Sequence, residues 1–319
     1  MPLEGTTDFF LKQGTALRLL YQRAEPLLFI TKFLRPINEP TDAFVYRYDN
    51  VGMDADPKKK KPAHAMIGGD FPEIDLSRST YAAGMVDARG FQIRIKRKTI
   101  RNEPKGVSEI QRAYKTAGYW MARFIHDDAL AAIKTGATTP TWSPGVGVWS
   151  LPGATPFDDL RKFKNTMKRE GYEYKMTDVL LANENYEELE GYLATIDITD
   201  MQRMKIYGVP TVNRQTINIP LVGDITGVMS GMTEGAILGL DRDNPCAELH
   251  YYVDSKFGTD TVSYETIENG VKKMVTADNI GFQFYTYEEQ NTNDQILRFS
   301  VEAKTVVTEA YAAMYDSDI

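Results

Sequence analysis

The sequence lacks the cysteines that disulfide bonds or thiolate clusters would need. Cys246 is its only cysteine among 319 residues, which excludes an intrachain disulfide framework and a cysteine-rich zinc site. A single thiol also fits a chain made in a reducing cytosol. We therefore expect neither dithiol redox chemistry nor thiolate-bound zinc.

Long apolar runs are also lacking. No stretch of about 18 apolar residues occurs, so the sequence predicts no membrane span. The apolar N-terminal segment DFFLKQGTALRLLYQRAEPLLFITKFL is interrupted by Lys12, Arg18 and Arg23, and no signal-peptide cleavage pattern follows it. This segment is typical of an arm that packs against the rest of the chain.

Motifs for catalysis are missing as well. His64, His126 and His250 show neither HxxxH nor HExxH spacing, the GVGVW turn lacks the GKS or GKT of a phosphate loop, and no GxSxG occurs. Asp54 and Asp56 form an acidic turn that is more typical of a solvated loop than of a cation site. We predict that the chain is not an enzyme and has no cofactor or metal.

The stretch IHDD, residues 125–128, is the strongest candidate for a reactive cluster. On a helix that turns by about 100° per residue, Asp128 falls in the apolar stripe anchored at Ile110, whereas His126 lies about 160° away and Asp127 about 100° to the other side. The three side chains cannot share one metal. Asp127 is expected to pair with Arg123 at i,i+4. Asp128 is predicted to be a buried structural acid that is paired outside its own helix.

Basic residues concentrate in one part of an acidic chain. The formal charge of the whole chain is −7, which argues against a general nucleic-acid binder. From Lys58 to Lys105, however, there are twelve Lys or Arg and five Asp or Glu. That segment carries +7 and the remainder −14. Such complementarity favours head-to-tail association of identical copies.

Two segments beside the basic tip alternate apolar and polar residues, as half-exposed strands do. They are FVYRYDN at 44–50 and FQIRIKRKTI at 91–100, and we predict that they form a long two-stranded excursion. A lone hairpin is marginal in water. We therefore expect Phe91, Ile93 and Ile95 to be covered mainly by a neighbouring subunit.

The rest of the chain reads as α+β. Helices are predicted at 106–134, 156–170 and 184–193, with a buried strand TDVLLAN between the last two. Later strands are predicted in INIPLVG, AILGL, ELHYYVD, IGFQFYTYEE and QILRFSVEAKTVV. The regular β-α-β alternation of a doubly wound sheet is missing.

This order of elements resembles one known family, the major capsid proteins of tailed bacteriophages and related archaeal viruses, with the Hong Kong 97-type fold. The resemblance is carried by the arm, the basic excursion, the helix ending in DDALAAIKTG, the segment FDDLRKFKNTMKREGYEYKMTDVLLANENYEELEGYL and the strand QILRFSVEAKTVVTEAYAA. It implies an N-terminal arm at 1–43, an extended loop (E-loop) at 44–105, a peripheral domain with the long spine helix at 106–194, an axial domain at 195–290, and a returning C-terminal strand at 291–319.

The resemblance also implies a function. The chain would self-assemble through hexamers and pentamers into an icosahedral shell that encloses double-stranded DNA, and it would be found in the virion after assembly in the host cytoplasm. Expected partners are other copies of the chain, a portal, decoration proteins and a separate scaffold, with DNA contacted non-specifically at most and no membrane. An encapsulin-type shell around cargo enzymes is the alternative.

The residues expected at contacts between subunits belong to the basic excursion; they are Lys58, Lys59, Lys60, Lys61, Phe91, Ile93, Arg94, Ile95, Lys96 and Lys98. Two functions of other classes stay open from the residues alone. One is a metal-dependent hydrolase that uses Asp127 and other acids, and the other is a nucleic-acid-binding module that uses the basic excursion.

Overall fold

The computed structural model describes residues 13–48, 80–96, 98, 106–139, 149, 156–170, 174–195, 216–219, 223–228, 231–252, 263–268, 271–276, 284–290 and 294–317. Four α-helices lie in these ranges: α1 (Gln13–Ala24), α2 (Gly106–Gly136), α3 (Pro156–Glu170) and α4 (Asn183–Thr195). Two 3₁₀ segments lie at Glu25–Phe33 and Ala310–Ala312.

Strands make up most of the remaining described chain. They are β1 (Leu34–Glu39), β2 (Ala43–Tyr48), β3 (Thr80–Met85), β4 (Asp87–Lys96), β5 (Asp178–Ala182), β6 (Thr216–Ile219), β7 (Gly223–Val228), β8 (Ile237–Leu240), β9 (Ala247–Tyr252), β10 (Ser263–Glu268), β11 (Val271–Thr276), β12 (Phe284–Gln290), β13 (Asp294–Val307) and β14 (Ala313–Asp316). The predicted α+β class is confirmed, and the three predicted helices correspond to α2, α3 and α4.

The chain divides into two compact units. The first contains Met1–Phe44, Ala83–Ala129 and Leu249–Thr305, and the second contains Val45–Ala82, Leu130–Glu248 and Val306–Ile319. The division falls within five elements, which are β2, β3, α2, β9 and β13, so each of them contributes residues to both units.

In the first unit, β13 organises a sheet. It pairs with β4, β9 and β12, and β9 also pairs with β1. Leu297, Phe299 and Val301 alternate with the exposed Arg298, so β13 has one apolar face. Phe299 packs edge-on against Tyr114 of α2, with ring centroids 5.3 Å apart. The core of this unit therefore lies between the sheet and α2.

Close approach of α1 to α2 completes that core. Gly118 of α2 lies against the backbone of Leu20 in α1, where an added Cβ would collide with the Leu20 carbonyl. Leu20, Ala117 and Met121 are all buried there. The predicted packed arm is therefore observed for α1 in the described residues.

In the second unit, a five-stranded sheet has the order β14-β8-β5-β7-β6. All five residues of β5 are buried, which explains its nearly continuous apolar sequence. Opposite residues on paired strands point to the same face, and β5 places Val179 beside Gly239 and Leu181 beside Gly227. Gly239 faces Phe163 of α3, and Gly227 faces Tyr186 of α4. Both helices therefore cover the same face of this sheet.

Strand pairing in this sheet crosses the predicted domain boundary between 194 and 195. The strand β5, at 178–182, pairs with β7 and β8, at 223–228 and 237–240. The predicted peripheral range 106–194 and axial range 195–290 thus do not coincide with the two units, because one sheet contains strands from both ranges. The named domains of a capsid subunit stay predictions.

Candidate functional site

The β2–β3 strand pair carries an apolar surface that no described part of the chain covers. Val45 in β2 is 70% exposed and Tyr81 in β3 is 72% exposed. Phe44 contacts Gly84 on the buried side of the pair. Because side chains alternate between faces, Val45 and Tyr81 share the opposite face, which we call the hairpin face. Met85 in β3 is also 66% exposed.

The base of the hairpin is fixed by aromatic packing within the first unit. Phe44 stacks on His250 of β9 with ring centroids 3.8 Å apart and an interplanar angle of 10°. His250 Nδ1 lies 2.6 Å from Glu39 Oε1, and the Val86 amide donates to the Asp42 carbonyl at 2.7 Å. A rigid base of this kind holds the direction of an exposed hairpin.

The predicted pairing of the excursion was wrong in one respect. The partner of β2 is β3, at 80–85, whereas β4 pairs with β13 along its whole length. Phe91 lies opposite Phe299 with ring centroids 5.6 Å apart, and Ile93 lies opposite Leu297. The 14-residue β13 offers a long apolar edge that satisfies β4 within the same chain.

Coverage of the predicted apolar face follows from this pairing. Ile95 is buried in the single chain, and Phe91 and Ile93 are half-buried. The expectation that a neighbouring subunit mainly covers all three is therefore corrected for Ile95, because the sheet of the same chain already covers it. Contact of Phe91 and Ile93 with another copy stays a prediction.

Three of the seven cations predicted at subunit contacts lie among the described residues. Arg94, Lys96 and Lys98 are exposed, and the Arg94 Nε atom is 3.8 Å from Asp294 Oδ2, an ion pair of little weight at the surface. The residues Lys58, Lys59, Lys60 and Lys61 lie outside the described residues. The three described cations are accessible, as an intersubunit role requires.

Asp128 differs from its prediction. Its side chain is half-buried in the single chain instead of fully buried, and the buried neighbour is His126, which packs 5.2 Å from the Phe29 ring. The predicted pair of Arg123 and Asp127 is present at 3.4 Å. The assignment of Asp128 as a buried acid is thus corrected for the single chain.

The cause is that the buried stripe of α2 rotates along its 31 residues. Its first half buries positions such as Ile110, Ala117 and Met121, whereas its second half buries His126 and Ile133. At 100° per residue, the centre of the stripe shifts by about 120° between the two halves. A helical wheel anchored at the first turn therefore misplaces the residues near the end.

Two features of the described residues bear on catalysis, the grouping of metal-ligating side chains and the reactivity of the Cys246 thiol. No group of three or more His, Cys, Asp or Glu side chains converges there on one point. Burial raises the pKa of the Cys246 thiol to about 12, which leaves it protonated and unreactive at neutral pH. Among the described helices, none is long and apolar enough to cross a membrane.

Sequence reasoning missed an ion cluster beside β5. Arg242 contacts the buried carboxylate of Asp178 and donates to Asp224 Oδ2 at 2.9 Å. The neighbouring Asp241 accepts from the Lys175 amide at 2.9 Å and the Asp243 amide at 3.0 Å. The turn-forming sequence DRDNP at 241–245 was the available signal. These contacts fix the β8–β9 connection and have the geometry of a structural clamp.

It also missed the hairpin face. The strand TYAAGM, β3, is rich in Ala and Gly, which are weak strand formers, so local sequence patterns favour the later segment 91–100 as the second strand. The odd positions from Tyr81 to Met85 are nevertheless apolar or small. That alternation was the signal for an exposed face.

No protein-family model matches this chain, and no curated protein matches its sequence. Solved structures of capsids are nevertheless similar in fold. The capsid of a native GTA particle matches with a TM-score of 0.56 at 10% identity over 91% of this chain and 89% of that chain. The capsid of cyanophage P-SCSP1u matches with a TM-score of 0.52 at 10% identity over 88% and 84%.

A third match is the virus-like particle from Pyrococcus furiosus, with a TM-score of 0.51 at 10% identity over 93% of this chain and 95% of that chain. Similarity at such low identity concerns the fold, and it extends over nearly the whole length of each chain. The predicted Hong Kong 97-type fold is confirmed at the level of the overall fold. The chain has the fold of viral and virus-like capsid proteins.

Proposed function

We propose that this chain is a major capsid protein that self-assembles, through hexamers and pentamers, into an icosahedral shell enclosing double-stranded viral DNA. The shell forms in the host cytoplasm and becomes the wall of the virion, with a portal, a scaffold and decoration proteins as further partners. The hairpin face carries the proposal, because two large apolar side chains project from a strand pair that the described residues leave uncovered. Exposed apolar surfaces of this kind mark sites of protein association.

In this proposal the hairpin belongs to the E-loop at 44–105 and lies on a neighbouring copy. Each copy then donates a hairpin face and receives one, which is a heterologous contact that closes into a ring. Phe91, Ile93 and the cations Arg94, Lys96 and Lys98 supply the rim of the contact. The N-terminal arm, the peripheral and axial domains and the C-terminal strand form the body that receives it.

The first test is assembly of the chain expressed alone, with Val45→Asp/Tyr81→Asp as the perturbed variant. Negative-stain microscopy and size-exclusion chromatography are expected to show closed shells for the wild type and unassembled chains for the variant. The matched control is Val45→Ile/Tyr81→Phe, which keeps both apolar side chains and is expected to assemble normally. Circular dichroism checks that all three chains are folded. Normal shells from the Asp variant would refute the role of the hairpin face.

A second measurement separates a viral capsid from an encapsulin-type compartment. Shells isolated from the producing host are treated with nuclease, and their contents are then extracted. Protected double-stranded DNA is expected under the proposal. Shells that contain enzymes and no protected DNA would favour the compartment instead.

A further inference from the structure

A groove of about 520 Å³ lies between α1 and α2 in the first unit. Its polar lining consists of the side chains of Gln22, Arg23, Arg112, Lys115, Thr116 and Tyr119, and Leu19 is the aliphatic residue among its lining residues. Every one of these polar side chains can donate a hydrogen bond, and none is a carboxylate. The groove therefore presents donors and positive charge to whatever enters it.

Its charge is unusual for this chain. The whole sequence contains 44 Asp or Glu. Helix α1 and the stretch of α2 from Ile110 to His126 nevertheless contain five Lys or Arg and no acid at all. The nearest acids on α2 are Glu109 and Asp127, at the two ends of that stretch. A basic surface of this kind on a chain of net charge −7 attracts an anionic partner.

Ion pairs among the described residues neutralise little of the charge of this groove. Arg112 Nη1 is 3.9 Å from Glu109 Oε1, and the Arg112 side chain is 79% exposed, so this pair has little energetic weight. Within the described ranges, neither Arg23 nor Lys115 has an ion-pair partner. The groove thus keeps cations on both walls, one from α1 and two from α2.

We propose that this groove binds the phosphodiester backbone of nucleic acid. Arg and Lys, together with Thr, Gln and Tyr, are the side chains that contact phosphates in protein–DNA interfaces, and the groove contains all five types. The charge of the groove decides the class of partner, because its lining contains three cations and no carboxylate. An anionic backbone therefore fits this groove better than a neutral peptide does.

The biological role of the groove rests on the proposed function, since packaged DNA is the nucleic acid that a capsid encloses. Three cations make a weak site in one copy, because non-specific binding at physiological salt has a dissociation constant of about 10⁻⁴ to 10⁻⁶ M. Many copies in one shell would nevertheless place many such sites against the same duplex. Weak sites of this kind would hold the outer layer of DNA without trapping it.

The test measures binding of a fluorescent 20-base-pair duplex to the purified chain by fluorescence anisotropy, at about 50 mM and 200 mM salt. The perturbed variant is Arg23→Glu/Arg112→Glu/Lys115→Glu. The matched control is Arg161→Glu/Lys168→Glu/Arg169→Glu, which changes the net charge equally at exposed positions of α3. Circular dichroism checks that both variants keep the fold.

We expect the groove variant to lose at least tenfold in affinity at 50 mM salt and the control to stay within about threefold of the wild type. Loss of three phosphate contacts also weakens the salt dependence of binding, so that the plot of log K against log salt becomes less steep by about 2.7. Equal losses in both variants would refute the proposal, because net charge alone would explain them. Absence of duplex binding by the wild type at 50 mM salt would refute it too.

A competitor distinguishes nucleic acid from an acidic protein segment. Polyglutamate of the same total charge is expected to displace the duplex at least tenfold less effectively than unlabelled DNA does. Equal displacement would reassign the groove to acidic polypeptides and overturn the proposal. Microscopy of the same preparations reports shell formation independently, so a chain that binds duplex through the groove and forms no shells would fail the proposed function alone.

Discussion

Replacing Arg242 by Ala tests how the ion clamp beside β5 stabilises the second unit. The Asp178 side chain is only 5% exposed, and the Thr177 hydroxyl also donates to its Oδ2 atom at 2.7 Å. Burial opposes the charge on Arg242, but hydrogen bonds and charge from Asp178 and Asp224 outweigh it and raise the pKa of the guanidinium. Removal of the guanidinium leaves the Asp178 carboxylate buried without its cation.

The expected loss in the free energy of unfolding follows from the exposure of the three side chains. Loss of one partner of a buried pair costs about 3–5 kcal/mol, but the Arg242 side chain is 46% exposed, so water can enter the vacated space. The contact with Asp224, at 28% exposure, contributes below about 1 kcal/mol because it lies near the surface. We therefore expect the free energy of unfolding of the second unit to fall by about 2–4 kcal/mol.

This loss is measured by urea unfolding followed by circular dichroism. Hydrogen exchange of β5 and β7 shows where in the unit the loss occurs. The control Arg161→Ala removes a surface pair with Asp158, which is 3.2 Å long and roughly half exposed, and is expected to change the free energy by less than about 0.5 kcal/mol. In Arg242→Ala/Asp178→Asn the buried charge is gone, so the double variant should be more stable than the sum of the single losses implies. A loss below about 1 kcal/mol, or strict additivity, would refute the reasoning.

Two further predictions concern Cys246 and Gly118. Burial raises the pKa of the Cys246 thiol from 9.0 to about 12. As the pH rises, the unfolded chain therefore loses this proton first, and the free energy of unfolding should fall between about pH 9 and 12. The variant Cys246→Ala should remove this part of the pH profile, and an unchanged profile would contradict the prediction. Gly118→Ala should lower the free energy of unfolding by about 1–3 kcal/mol, since its Cβ meets the Leu20 backbone. The matched variant Gly191→Ala has open space around its Cβ. Thermal melts should show that its free energy of unfolding rises by up to about 1 kcal/mol, because Ala has the higher helix propensity. Equal effects of the two Ala variants would contradict close packing at Gly118.

Local sequence patterns predicted the helices well. Pro156–Glu170 matches its predicted range, and the long helix from Gly106 was predicted to within two residues of its end. Apolar spacing over several turns is a strong signal, and Gly136 marks the end of α2. The nearly continuous apolar run of β5 was equally clear, because burial on both faces leaves little room for polar residues.

Strand pairing could not be predicted from the same patterns. The alternation of β4 is the same whether its partner is β2 or β13, since alternation reports which face is covered and not which strand covers it. The partner β13 lies about two hundred residues later in the chain. Local sequence contains no signal for so distant a choice. The β3 strand was overlooked for a different reason, because its Ala and Gly residues are weak strand formers.

The candidate site, too, could be predicted from the sequence only in part. Arg94 and Lys96 are exposed because alternation along β4 sets their face, and their contact with another copy stays a prediction. The hairpin face and the α1–α2 groove depend on which elements pack together, and Gly118 determines how closely α1 approaches. Asp128 and His126 depend on how the covered face rotates along α2. These features are tertiary, and the single helix or strand does not encode them.

The hairpin face sets a physical limit on how two copies associate under the proposed function. Fully burying one large apolar side chain contributes about 1.5–3 kcal/mol, so Val45 and Tyr81, which are already about 30% covered, contribute roughly 2–4 kcal/mol together. Immobilising a second copy costs about 4–15 kcal/mol. One hairpin contact therefore cannot hold an isolated pair, whereas the last subunit to close a ring gains two such contacts for a single loss of freedom. The hairpin face favours closed rings over dimers for this reason.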